Sequence, residues 1–99
     1  MADPIEIRGF LKTGVPPGGT SQFRDWLTYA RSLGDSAPPI CIEILLEGLV
    51  VEQLAALICL RQLGYEAWAD GYGPNLSYRY RKVGESTWTV VHPRLKDDA

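Results

Sequence analysis

Ile5, Ile7, Gly9 and Leu11 alternate with Glu6, Arg8, Phe10 and Lys12, a period of two that predicts a first strand with apolar residues on both faces. The segment Thr13-Gly-Val-Pro-Pro-Gly-Gly-Thr20 then breaks it: the glycines allow unusual backbone angles, the prolines refuse a helix, and Thr20 or Ser21 can cap whatever follows. A helix is expected from about Gln22 to Leu33. At about 100° per residue, Phe23, Trp26, Leu27, Ala30 and Leu33 share one stripe, and Arg24, Asp25, Thr28, Arg31 and Ser32 lie opposite. Gly34 is a C-terminal stop for it.

Beyond Asp35-Ser-Ala-Pro-Pro39, Ile40, Ile42, Ile44 and Leu46 alternate with Cys41, Glu43, Leu45 and Glu47, which predicts a second strand with one solvated face, ended by Gly48. A second helix follows from about Leu49 to Leu63, with Gly64 as its stop. Its expected core stripe is Val50, Val51, Leu54, Leu57 and Ile58, and Ala56, Leu60 and Leu63 fall outside that stripe. Tyr65 to Tyr72 reads as a third strand, Gly73-Pro-Asn75 as a turn, and Leu76–Lys82 with Ser86–Val91 as a closing hairpin. The order β-α-β-α-β-β-β leaves room for two right-handed crossovers. The expectation is therefore an α+β two-layer sandwich, with two helices on one face of a mixed sheet, and residues 1–99 as a single domain.

The hairpin offers two registers. A two-residue turn at Gly84-Glu85 sets Arg81 opposite Trp88 and Tyr80 opposite Thr89, mixing polar and apolar residues on both faces. A three-residue loop, Val83-Gly84-Glu85, sets Tyr80 opposite Trp88 and Tyr78 opposite Val90, which gives one apolar face. Sequence logic favours the second. It turns Leu76, Tyr78, Tyr80, Trp88 and Val90 toward the helices and leaves Arg79, Arg81, Thr87, Thr89 and Val91 on an open face without interleaved aromatics.

With 99 residues and 45% apolar content, the chain can bury roughly 60 to 68% of its unfolded surface in one core. Its net charge of -2 excludes a general polyanion binder, but the charges are uneven. Between Asp35 and Asp70 the acids Asp35, Glu43, Glu47, Glu52, Glu66 and Asp70 face only Arg61. Between Arg79 and Lys96 the bases Arg79, Arg81, Lys82, Arg94 and Lys96 face only Glu85. Cys41 and Cys59 form no secreted disulfide framework and no zinc-ligand spacing, so a reducing, cytoplasmic setting without metal or cofactor is expected. The start Met-Ala-Asp-Pro-Ile-Glu carries no signal-peptide pattern. The apolar run from Leu45 to Leu60 is interrupted by Glu47, Glu52 and Gln53, so no membrane span is expected.

Several groups bear on chemistry. Gly14 to Ser21 lies between a predicted strand and helix in the G-x-x-x-x-G frame of a phosphate loop, but Thr20 stands where the lysine belongs. Anion binding there would rest on backbone N–H groups alone. His92, the lone histidine, has no serine or cysteine nucleophile beside it, and a lone histidine is more often structural. Neither cysteine has an adjacent base, which favours idle thiols. Glu66 and Asp70 share a strand parity, either as a carboxylate pair or as partners of basic residues across the strand. With Ile5-Glu-Ile-Arg-Gly9 ending the first predicted strand, the layout of residues 5–82 resembles the small sulfur-carrier proteins of the sulfur-relay type. Those proteins start the following helix with Cys-Pro-x-Pro. Here Val15-Pro16-Pro17 occupies that region, so the resemblance implies fold layout and not carrier chemistry.

The functional expectation is a small non-enzymatic protein-binding module, a regulator or stoichiometric inhibitor of a partner protein, with a homodimer as one form of that binding. Ala56, Leu60 and Leu63, off the core stripe and beside the small residues Ala55 and Cys59, are the expected docking surface, and open sheet edges offer strand addition. Arg79, Arg81 and Lys82 complete the partner-binding set. The alternative is single-stranded nucleic-acid binding through the basic C-terminal hairpin. An enzyme using His92 or the Glu66/Asp70 pair is a third possibility.

Overall fold

The computed structural model describes residues 3–94; the tail 96–99, expected to fray, and the base Lys96 lie outside them. Residues 4–12, read above as a strand, form helix α1 (Pro4–Lys12). The start signals are local: Asp3 Oδ1 accepts the Glu6 N–H at 2.9 Å, and Pro4 sits in the first turn, where its missing N–H is no loss. Ile7 and Leu11, one turn apart, are its buried residues. Helix α2 (Ser21–Ser32) forms where the apolar stripe places it, capped by Thr20 Oγ1 accepting from Phe23 N–H at 3.1 Å, and it buries Trp26 and Ala30.

After a 3-10 turn over Gly34–Ser36, the second expected strand is also a helix, α3 (Ala37–Glu47). Pro38 and Pro39 occupy its first turn, where no intrahelical N–H donor is required. Ile40, Cys41, Ile44 and Leu45 are buried, and Glu43 and Glu47 are exposed one turn apart. Helix α4 (Val50–Gln62) follows. The remainder is a meander of β1 (Tyr65–Asp70), β2 (Ser77–Lys82) and β3 (Thr89–Val91), antiparallel in the order β1-β2-β3. The class is α+β, but among the described residues the order is four α-helices and then three strands. The described sheet is wholly antiparallel, without crossovers, and the layout shared with sulfur carriers is lost along with its opening strand. No helix among the described residues is long and apolar enough to cross a membrane.

Helix α4 occupies the centre. α1, α2, α3 and β1 all pack against it, so it needs apolar or small residues around most of its circumference. Ala55, Ala56, Leu57, Cys59 and Leu60 are buried. One polar group accompanies them: Gln53 accepts from the Tyr78 hydroxyl at 2.8 Å and donates through Nε2 to Gly48 O at 2.8 Å, so its amide is satisfied on both sides. The expected docking residues Ala56 and Leu60 are thus wholly inside the core at 0% exposure, and Leu63 is half-buried against it. Burial of these three is explained by the additional helices α1 and α3, which take the places expected for strands.

The hairpin register also differs from the expected one. Tyr78 pairs with Val91, Arg79 with Val90 and Tyr80 with Thr89, the frame of the turn at Gly84-Glu85. Ladder pairing starts at Thr89, leaving residues 83–88 as connection. Directly opposed residues share a face, so Ala67, Tyr78, Tyr80 and Val91 meet the helices, while Arg79, Val90 and the β1 residue Trp68 face away.

Candidate functional site

The first turns of α4 carry an unexpected surface. Leu49 is 61% exposed, Val50 73%, Val51 59% and Leu54 52%, although three of these four were expected in the core. Val50 and Leu54 lie one turn apart, with Val51 beside them, so they form one patch. Glu52 Oε1 accepts the Leu49 N–H at 3.0 Å and fixes the helix start that presents it. At Gly14, with φ 77°, an added Cβ would lie 2.9 Å from Val51 Cγ1, so the Gly/Pro loop is held tight against this edge. Beside the patch, Ile5, Gly9 and Ile44 line a groove of about 400 Å³, with Arg8, Lys12 and Glu52 at its charged margins. Covering side chains exposed to this degree is worth about 1 to 2 kcal/mol each.

The outer sheet face is a second surface. On β1 it presents Glu66, Trp68 and Asp70, on β2 Arg79 and Arg81, and on β3 Val90. Arg81 Nε meets Glu66 Oε2 at 2.6 Å. Arg79 Nε lies 3.2 Å from Asp70 Oδ2 but is not aligned to donate to it, and this buried nitrogen has no hydrogen-bond acceptor among the described residues. Trp88 stacks under both guanidinium groups, 4.1 Å from Arg81 and 4.8 Å from Arg79, measured to the ring centroid. Expected to face the helices, Trp88 belongs instead with the arginines. Arg61, reaching from α4, lies 4.4 Å over the Trp68 ring and donates through Nε to Ala67 O at 2.8 Å. That bond occupies one carbonyl of β1, at the sheet edge.

The remaining candidates resolve individually. Glu66 and Asp70 each face an arginine across the strand, Arg81 and Arg79, the cross-strand partners weighed from their parity. His92 is exposed just after β3. Cys41 and Cys59 are both buried and unpaired by any disulfide, and hydrogen bonding to Cys59 together with burial pushes the Cys41 thiol far up. Thr20, at the phosphate-loop position, uses its hydroxyl as the α2 cap and donates it to Pro17 O at 2.7 Å. Lys82 is exposed and makes no ion pair among the described residues. Among the described residues, no three of His, Cys, Asp and Glu gather as a metal ion needs.

Sequence reasoning placed the start of α4 but missed the exposure of its first residues and the outward tryptophans. The usable signal for the first was the set Ala55, Ala56 and Cys59: small side chains mark the side where neighbouring helices come closest, which turns Val50, Val51 and Leu54 away. Comparison with protein-family models, with curated proteins and with solved structures returned no match for this chain.

Proposed function

We propose that this chain is a non-enzymatic protein-binding module of the cytoplasm, a regulator or stoichiometric inhibitor that docks another protein, or a second copy of itself, through Leu49, Val50, Val51 and Leu54. The observation that carries this reading is the outward exposure of all four at the start of a helix whose other sides are packed. Two unpaired, buried cysteines accord with a reducing compartment. The test is a Val50→Glu/Leu54→Glu double variant. It should keep the far-UV circular dichroism and cooperative unfolding of the parent while losing both self-association in sedimentation and stoichiometric capture of a partner from the source cell. Equal behaviour of parent and variant, or a parent that stays monomeric and captures nothing, contradicts the proposal.

The outward Trp68 and Trp88 favour a second reading, single-stranded nucleic-acid binding through the hairpin with Arg79, Arg81 and Lys82. Glu66 and Asp70 weigh against it, because the arginines already face carboxylates. The readings separate by salt. An oligonucleotide complex should weaken steeply between about 50 and 200 mM salt, whereas apolar docking on α4 should change little.

A further inference from the structure

At the far end of α4 from the docking patch, the ends of several elements enclose a cleft of about 640 Å³. α2 contributes Arg31, the turn after it Asp35, α3 Pro38 and Pro39, α4 Gln62, and the β1/β2 end Tyr65 and Lys82. Its size lies in the range of small-molecule sites, and its lining is polar and apolar in about equal parts: proline, leucine and tyrosine supply the carbon surface, and Arg31, Asp35, Gln62 and Lys82 the polar groups beside it. The cation from α2 is already oriented. Arg31 Nε donates to Gln62 Oε1 at 3.1 Å, which fixes the guanidinium plane and leaves its terminal nitrogens without partners among the described residues. Gly34 and Gly64 at the rim have nothing within 4 Å of where a Cβ would stand, so the mouth is open.

We propose that this cleft binds a small monocarboxylate with an apolar or aromatic body. Two cations, Arg31 and Lys82, oppose one anion, Asp35, so the lining carries one net positive charge, matched to a singly charged ligand. A planar guanidinium with two free terminal donors suits a carboxylate in particular, which it can engage through two parallel hydrogen bonds. Pro38, Leu63 and Tyr65 supply the surface for the ligand's apolar body. A dianionic phosphate gains less here, because Asp35 repels its second charge.

The test is titration of the full-length ¹⁵N-labelled protein with sodium benzoate, sodium butyrate and inorganic phosphate at constant ionic strength. Benzoate should give saturable shifts at the Gly34, Gly64 and Val83 amides and at Arg31 Nε–H, with a dissociation constant on the order of 1 mM. Butyrate should bind more weakly, having less apolar area to bury, and phosphate more weakly than benzoate. Arg31→Gln should weaken benzoate about tenfold, and Asp35→Asn should tighten it about threefold, a gain that no merely structural role of Asp35 predicts. Absence of saturable shifts, shifts indifferent to both substitutions, or phosphate or butyrate binding as tightly as benzoate would each overturn the proposal.

Discussion

Replacing Leu60 and Leu54 separately by alanine measures which side of α4 is core. Leu60 is fully buried among α4's neighbours, so Leu60→Ala removes three carbon groups at about 0.8 kcal/mol each and leaves a cavity besides, a total of about 2 to 5 kcal/mol. Leu54, at 52% exposure, loses only about half of that transfer free energy and leaves no enclosed void. Alanine's slightly better helix propensity offsets a few tenths of the loss, so Leu54→Ala should cost about 0.5 to 1 kcal/mol. For a domain of this size, the first substitution lowers Tm by about 10 to 20 °C and the second by about 5 °C or less. Urea denaturation followed by tryptophan fluorescence and circular dichroism reads both, provided the m-values stay equal. A Leu54→Ala cost equal to or above that of Leu60→Ala would refute the burial assignment, and the docking proposal with it.

Three further outcomes are expected. Tyr78→Phe strips Gln53 Oε1 of its buried donor and should cost about 1 to 3 kcal/mol, part of which returns on adding Gln53→Met; a double variant no better than the single one contradicts the pairing. Stability should also fall in strong alkali, because burial raises the Tyr78 hydroxyl, which keeps its proton in the folded chain after the unfolded chain has lost it. The contribution is complete below about pH 10, where an unfolded tyrosine titrates, and declines above it. The two thiols act in opposite senses, since the hydrogen bond between them raises Cys41 and lowers Cys59. Denaturation midpoints unchanged from about pH 9 to 11 count against this, and Tyr78→Phe should flatten the profile. Finally, Arg61→Met removes both the bond to Ala67 O and the stack on Trp68, costing about 1 to 2 kcal/mol. Urea denaturation reads the loss, and an Arg61→Met midpoint equal to that of the parent contradicts both contacts.

The sequence located more than it oriented. Helices α2 and α4 and the three strands lie within a few residues of the segments that patterning marks, because Thr20, Gly34, Gly64 and the Gly73-Pro-Asn75 turn punctuate them locally. The two misread helices contain apolar residues compatible with two periods at once: Ile7 and Leu11, or Ile40 and Ile44, are four apart, which suits both alternation and one helical face. Arbitration lay in the flanks. Asp3-Pro4 and Ala37-Pro-Pro39 are helix starts, and weighing alternation above them placed strands where helices stand. That error propagated to the site, since removing two neighbours from α4 made its most enclosed side look free. Trp88 was misplaced for a different reason: facial purity of the hairpin was expected, whereas the structure stacks the indole on Arg79 and Arg81 and keeps it outside. The parity of Arg79 and Arg81 was legible; the aromatic company they keep was not.

The strict succession of four helices and then three strands bears on synthesis. Translation delivers the helical part first, and α4 emerges before any of the strands that cover its sheet-facing side. Its polar anchor arrives late, Tyr78 for Gln53, and the end of α3 waits longer still for Arg94, whose N–H donates to Leu46 O at 2.8 Å and whose guanidinium meets Glu47 at 3.1 Å. At about 5 to 20 residues per second, the interval from the end of α4 to the end of β3 lasts about 2 to 6 seconds. Throughout that interval α4 shows both its permanently exposed quartet and its not yet covered flank. The nascent chain is then stickiest along this one helix, which makes it the segment a ribosome-associated holdase would grip and the finished sheet would release.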